Sequence, residues 1–152
     1  MTGIQKAGRY KRIFEQVEEL LKDKPDTIAS MATIAAVLHH KMDYFFWTGF
    51  YLLDKGELIV GPYQGSLACI KLKKDTGVCW ASVNRGETVV VADVHLFPGH
   101  IACDSRSNSE IVVPLKDKNG IILGVLDVDS KGFGSFDEID ADWLEKILQM
   151  IT

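Results

Sequence analysis

Three cysteines and three acidic residues carry the chemistry that this sequence offers. Cys103 lies in "HIACDSRSNSEIVVPL", among small polar residues rather than in the apolar stretch where a structural cysteine usually sits. That setting makes it a candidate accessible, reactive thiol, the alternative being a buried spacer. A free cysteine is only a few per cent thiolate at neutral pH, so a reactive one needs a nearby cation, a helix end or backbone N–H groups. Arg106 and His100 are the nearest candidates along the chain. Cys69 and Cys79 complete an odd count of thiols, which argues against a structural disulfide framework in a chain of this size. Together with His95 and His100 they include donors that zinc accepts. No pair has the tight Cys-x(2–4)-Cys spacing of a structural site, and no metal is expected.

The acids come from two runs rich in β-branched residues. Asp127 and Asp129 in "GVLDVDS" are two apart on a strand, so both point to one face, roughly 6.6 Å apart along it. Placing the turn of the preceding hairpin on Asp117 to Gly120 pairs Lys116 with Ile121 and brings Glu110 opposite Asp127. Three carboxylates then converge below the loop bearing Cys103, in a register that a one-residue slip would undo. Like charges so placed raise one another's pKa. Either these acids end their strands in solvent, or a protonated one donates to a substrate oxygen while an ionised neighbour holds an ammonium. The small polar turn from Asp104 to Ser109 offers backbone N–H groups that could hold an anion.

Several weaker signals have structural readings. Trp47 lies on an apolar strand, where core packing competes with a substrate-facing role. "KGFGS" lacks the third glycine of a dinucleotide fingerprint and reads as a turn. His39 and His40 at a helix end read as a C-terminal cap.

The elements that must position these residues follow from periodicity. Ile13, Phe14, Val17, Leu20 and Leu21 make one helical stripe; Ile28, Met31, Ala35 and Leu38 make a second, capped by Asp26. Tyr44 to Leu53 and Glu57 to Tyr63 read as a hairpin, and Cys69 to Leu72 as a third strand. "TGVCWASVNRG" suits one to two helical turns, and Glu87 to Ala92 is the next strand. Glu110 to Leu115 and Ile121 to Asp129 flank "KDKNG", and a final helix has Ser135 and Glu138 at capping-box spacing, with Ile139, Trp143, Leu144, Ile147 and Leu148 inward. The order is α+β: a mainly antiparallel sheet of about six strands, helices on one face, and the other face free for a pocket. Asp93 to Ser109, containing Phe97, Ile101 and Cys103, has no period and reads as a lid.

The chain's 152 residues suit one domain spanning 1–152. A net charge of -4 without any Lys/Arg cluster gives no pull toward nucleic acid or an anionic membrane. No apolar run reaches the ~20 residues of a membrane span and the N-terminus lacks a signal core, so the cytoplasm is the expected location.

"WTGFYL", "GPYQG" followed by "AC", "GVC", "VADVH", "FPGHIACDS", "SNSEIVVPL" and "GVLDVDS" occur in an order and spacing that resemble the free methionine-(R)-sulfoxide reductases, which are stand-alone GAF domains. The resemblance is strong over roughly residues 44 to 130. It implies a GAF fold and thiol-dependent reduction of free L-methionine-(R)-S-oxide to methionine, with no cofactor. Carried over by position, it makes Cys103 the nucleophile that becomes a sulfenic acid, Cys69 the resolving thiol, and thioredoxin the reductant. Cys79 becomes an auxiliary thiol, Glu110, Asp127 and Asp129 the substrate-binding acids, and Trp47 the aromatic at the substrate's methyl end. It also allows a homodimer. Two departures are visible: Trp80 follows Cys79 where the family usually has glycine, and "LKKDTGVC" lacks the family's Gly-Arg-Gly lead-in. The competing readings are a ligand-sensing GAF module without chemistry and a thiol redox switch that alters partner binding.

Overall fold

A computed structural model describes residues 1–100 and 103–152. Helix α1 (Gly3–Leu20) starts on a reciprocal capping box between Thr2 and Gln5, and α2 (Thr27–Lys41) starts on the Asp26 carboxylate, which accepts from the Ala29 amide at 2.8 Å. Strands β1 (Trp47–Asp54) and β2 (Glu57–Gln64) form a hairpin, followed by the short β3 (Lys71–Leu72), α3 (Gly77–Arg85) and β4 (Val89–Val91). A single 3-10 turn (Val94–Leu96) precedes the long hairpin of β5 (Ser109–Lys116) and β6 (Ile122–Ser130), and α4 (Glu138–Leu148) closes the chain. The sheet order is β3-β2-β1-β6-β5-β4, with every neighbouring pair antiparallel.

Strand alternation divides this sheet into two working faces. Phe50, Ile111, Val113, Leu126 and Val128 point toward α1, α2 and α4, where Tyr10, Ile13, Val17, Ile34, Leu38, Leu144 and Ile147 bury against them. One buried carboxylate ties α4 to α1 and to the segment that follows α2: Asp140 accepts from Lys6 Nζ at 2.8 Å and from the Tyr10 hydroxyl at 2.6 Å, and also from the Tyr44 hydroxyl. On the opposite face Trp47, Tyr51, Val112 and Val125 pack with Val78, Cys79 and Trp80 of α3. The faces therefore separate a helix-covered core from a smaller core roofed by α3 and the connecting loops.

The expected α+β order, with terminal helices on one face and a pocket on the other, is the one observed; boundaries and register differ locally. Glu110 pairs with Asp129, and it is Val112 that pairs with Asp127. Lys116 pairs with Ile122 rather than Ile121, and an irregularity between Leu115 and Lys116 moves the remaining pairs, for a total offset of two residues. Because side chains repeat every two residues, that offset leaves all three acids on one face. Asp137, not Ser135, caps α4, in a box with Asp140. Ser135 instead hydrogen-bonds Ser130 side chain to side chain at 2.7 Å. Helix α2 ends at Lys41, one residue beyond the histidines, with Met42 as its C-cap, and His39 Nδ1 sits 3.1 Å from the Thr48 hydroxyl. Helix α3 runs nine residues, longer than one to two turns.

Candidate active site

Glu110 on β5 and Asp127 and Asp129 on β6 project into a cavity of about 210 Å³. That volume is below the roughly 300–1,000 Å³ of drug-sized pockets and suits a molecule of amino-acid size. Glu110 and Asp127 are buried, at 5% and 6% exposure, and Asp129 is half-buried. Burial pushes the Glu110 carboxyl well above the ordinary carboxylate range, and the charges of Asp127 and Asp129 push it further. Asp129 is raised well above its usual value by burial and then by Asp127; burial also raises Asp127. Such a group titrates as a unit that retains protons where isolated acids have lost them. Asp127 Oδ1 is buried with no hydrogen-bond partner among the described residues. A buried acceptor in that state is open to a donor on a bound molecule.

Two thiols stand at the mouth of this cavity. Cys69, in the segment between β2 and β3, and Cys103, after the 3-10 turn, form a disulfide with Cα atoms 5.6 Å apart and a sequence separation of 34. Both line the cavity that the acids floor. Cys79 is a free thiol on α3, buried at 5% exposure. Burial, with the charges of Asp127 and Glu110, raises its pKa well above normal and keeps it protonated. Its Sγ and a carboxylate oxygen from each of Glu110 and Asp127 lie within 4.8 Å of one another, a donor set that can accept a cation.

Aromatic residues make one wall. Trp47 stacks between Tyr51, at 5.8 Å, and Tyr63, at 5.3 Å, and its indole N–H donates to the Ser66 carbonyl at 2.9 Å. Gly49 permits that stack: a Cβ there would collide with Tyr63 Cβ and lie 2.6 Å from Trp47 Cη2. Tyr51 escaped the sequence analysis although it shares the face of Trp47 at even spacing. Its hydroxyl donates to the Cys69 carbonyl at 3.0 Å, and it lines the cavity.

The Asp93–Ser109 connection is anchored at both stems. Asp93 caps the 3-10 turn, Val94 N–H donates to the Asn108 carbonyl at 3.0 Å, and Asn108 Nδ2 donates to the Lys131 carbonyl at 2.7 Å. Between the stems, Gly99 (φ +72°) packs against Thr76 and Gly77 at the start of α3, and Gly99, His100, Cys103, Asp104 and Ser107 line the cavity. This is the covering position expected of a lid; Ile101 lies outside the described residues.

Within this loop three of the amides expected to hold an anion are engaged: Arg106 N–H donates to Asp104 Oδ1, Ser107 N–H to the Asp104 carbonyl, and Asn108 N–H to the Ser130 carbonyl, so those three are not free. Nor does either basic side chain provide an unpaired cation for Cys103. The Arg106 guanidinium is bound by both oxygens of Asp104, at 3.0 and 2.6 Å, and lies over the Phe46 ring. His100 is lowered by burial and then by His95, which favours the neutral ring, and its Nδ1 is 4.0 Å from Glu110 Oε1.

Sequence and structure comparisons agree with this geometry. A GAF domain model matches residues 27–151. The free methionine-R-sulfoxide reductase of Escherichia coli is 39% identical over 148 residues, which cover 97% of this chain and 89% of that protein. The chain belongs to the free methionine-R-sulfoxide reductase family. A family member from Neisseria meningitidis, solved in complex with its substrate, superposes with a TM-score of 0.90 at 44% identity, covering 96% of this chain and 87% of that one. GAF domain-containing protein A of Dictyostelium discoideum is 46% identical over 96% of this chain and 92% of its own length.

Proposed function

We propose that this member of the reductase family converts free L-methionine-(R)-S-oxide and a thiol pair to L-methionine, a disulfide and water. The observation that carries the reading is a disulfide-forming thiol pair over three carboxylates on one sheet face, Glu110 and Asp127 buried and Asp129 half-buried, each raised by burial. Cys103 is the nucleophile: Cys103–SH plus sulfoxide gives Cys103–SOH plus methionine, the oxygen passing from substrate sulfur to protein sulfur. A sulfoxide oxygen is a poor leaving atom until it is protonated, and the acid cluster, raised by burial above the ordinary carboxylate range, is the proton donor. Cys69–SH then condenses with Cys103–SOH, expelling water and forming the disulfide.

The remaining acid charge holds the substrate's ammonium, for which the unpartnered Asp127 Oδ1 is the open acceptor. A peptide nitrogen carries neither that charge nor those protons, so methionine sulfoxide within a protein chain is excluded. Trp47 gives the methyl end an apolar wall. Cys79, held protonated and buried, is the auxiliary thiol and a poor attacking group. Thioredoxin reduces the disulfide, and no dissociable cofactor takes part. Such a cycle belongs in the reducing cytoplasm, and no helix among the described residues is long and apolar enough to cross a membrane.

The test is thioredoxin-coupled NADPH consumption with each sulfoxide diastereomer. Turnover of the R form alone supports the reductase; binding without turnover would mark a sensing module, and disulfide formation by general oxidants alone a redox switch.

A further inference from the structure

The segment that carries Cys69 is built in an unusual way. Its backbone is tied inward at three carbonyls: Ser66 accepts from the Trp47 indole at 2.9 Å, Cys69 from the Tyr51 hydroxyl at 3.0 Å, and Ile70 from the Val60 amide at 2.8 Å. Ser66 Oγ adds a 2.8 Å hydrogen bond to Asp104, next to Cys103. With the backbone so fixed, the two large aliphatic side chains flanking Cys69 stand outward, Leu67 at 84% and Ile70 at 74% exposure. Neither belongs to either hydrophobic core. Exposed aliphatic residues held on a fixed backbone beside a redox-active sulfur mark a contact surface more than a packing accident. The charge beside them is also local: Lys71 pairs with Glu57 at 3.4 Å, which leaves Lys73 and Lys74, followed by Asp75, in a chain whose net charge is -4.

We propose that the Leu67–Ile70 shoulder, with Lys74 at its rim, is the docking surface for the dithiol protein that reduces the Cys69–Cys103 disulfide. The occupant is a thioredoxin-class protein that presents its thiol pair within an apolar surface edged by acidic groups. The inference rests on the reductase reading above. One partner thiolate attacks Cys69 sulfur, breaking the Cys69–Cys103 bond and releasing Cys103 as a thiolate that takes up a proton. The partner's second thiol then displaces Cys69, so the partner leaves as a disulfide and two electrons have entered this chain. Docking on the Cys69 side leaves Cys103 free for the next substrate.

A small dithiol such as dithiothreitol has no surface to dock, which gives the test its control. Ile70 does not line the substrate cavity, and neither does Lys74. Steady-state turnover is measured for wild type, Ile70→Asp, Ile70→Leu and Lys74→Glu, with thioredoxin and separately with dithiothreitol. The expected result is a KM for thioredoxin raised about tenfold in Ile70→Asp and severalfold in Lys74→Glu, near wild type in Ile70→Leu, with dithiothreitol-driven rates unchanged throughout. A thioredoxin KM within twofold of wild type in both charged variants overturns the assignment. So does a parallel fall of the dithiothreitol rate, which would place the effect in the fold or the site. Absence of turnover in wild type with either reductant would instead defeat the reductase reading itself.

Discussion

Glu110 and Asp129 face each other directly across β5 and β6, with Asp127 two residues along on the same face. Like charges opposite one another destabilise a sheet, and burial adds to that penalty. The arrangement therefore sacrifices stability for a site that holds both a proton and a negative charge.

Replacing Glu110 by Gln keeps its shape and removes one member of the cluster. Activity should fall by about 100-fold or more, as for loss of a positioned proton donor. Stability should move the other way. These carboxyls have folded-state pKa values above their unfolded values of about 4, so the folded chain binds more protons than the unfolded one, and stability declines as pH rises through and above that point. Glu110→Gln should therefore gain on the order of 1 kcal/mol, about 2–4 °C in Tm, at pH 8 and less at pH 5. Calorimetry at the two pH values checks both the sign and its pH dependence.

The thiols are separated by a stoichiometric experiment. Pre-reduced protein freed of reductant should release about one equivalent of methionine both as wild type and as Cys69→Ser. Only wild type should carry the Cys69–Cys103 disulfide afterwards, whereas Cys69→Ser should hold a sulfenic acid that a dimedone-type reagent traps. Cys103→Ser should release none. Methionine quantified by mass, with the adduct mapped on the chain, decides the roles.

Gly49 gives a test of the aromatic wall that leaves every wall residue in place. Gly49→Ala must push the Trp47 indole or Tyr63 aside, at a cost of about 1–3 kcal/mol. The KM for the sulfoxide should rise about tenfold, as it should in Trp47→Ala. Steady-state kinetics with unchanged KM in both variants would remove Trp47 from the substrate wall.

Asp140 supports the fold from the opposite face. It is fully buried and holds Lys6, Tyr10 and Tyr44, so Asp140→Ala should lower stability by about 3–5 kcal/mol by taking the near carboxylate from a buried ammonium, which keeps only Asp137 at 3.5 Å and the Ser135 carbonyl, and by leaving two tyrosine hydroxyls without their acceptor. Where the variant remains folded, its KM for the sulfoxide should be unchanged, because the cluster lies across the sheet from the cavity. Urea titration and kinetics on the same preparation measure both.

Much of this site was legible because strand alternation is a robust signal. The shared face of Asp127 and Asp129 needs only the period of two, and Glu110 stays on that face despite the altered pairing because the offset is even. What alternation cannot reveal is an irregularity such as the one between Leu115 and Lys116, which arises from how the turn closes rather than from which residues are apolar. Asp137 and Ser135 competed for one cap, and a carboxylate able to accept from both Ile139 and Asp140 amides prevailed. The fate of Arg106 depended on Asp104, whose carboxylate, held well below its usual pKa by Arg106, takes up both the amide and the guanidinium of that residue. Tyr51 was concealed by its own hydrophobicity: a tyrosine on a core strand reads as packing until its hydroxyl is seen to reach the Cys69 carbonyl.

The most direct measurement is turnover of purified protein with thioredoxin, thioredoxin reductase and NADPH, each sulfoxide diastereomer of free methionine supplied alone. The account expects sustained NADPH oxidation matched by methionine release with the R form, and background with the S form. Equal rates on both diastereomers, or no methionine from the R form with fully reduced protein, would contradict it.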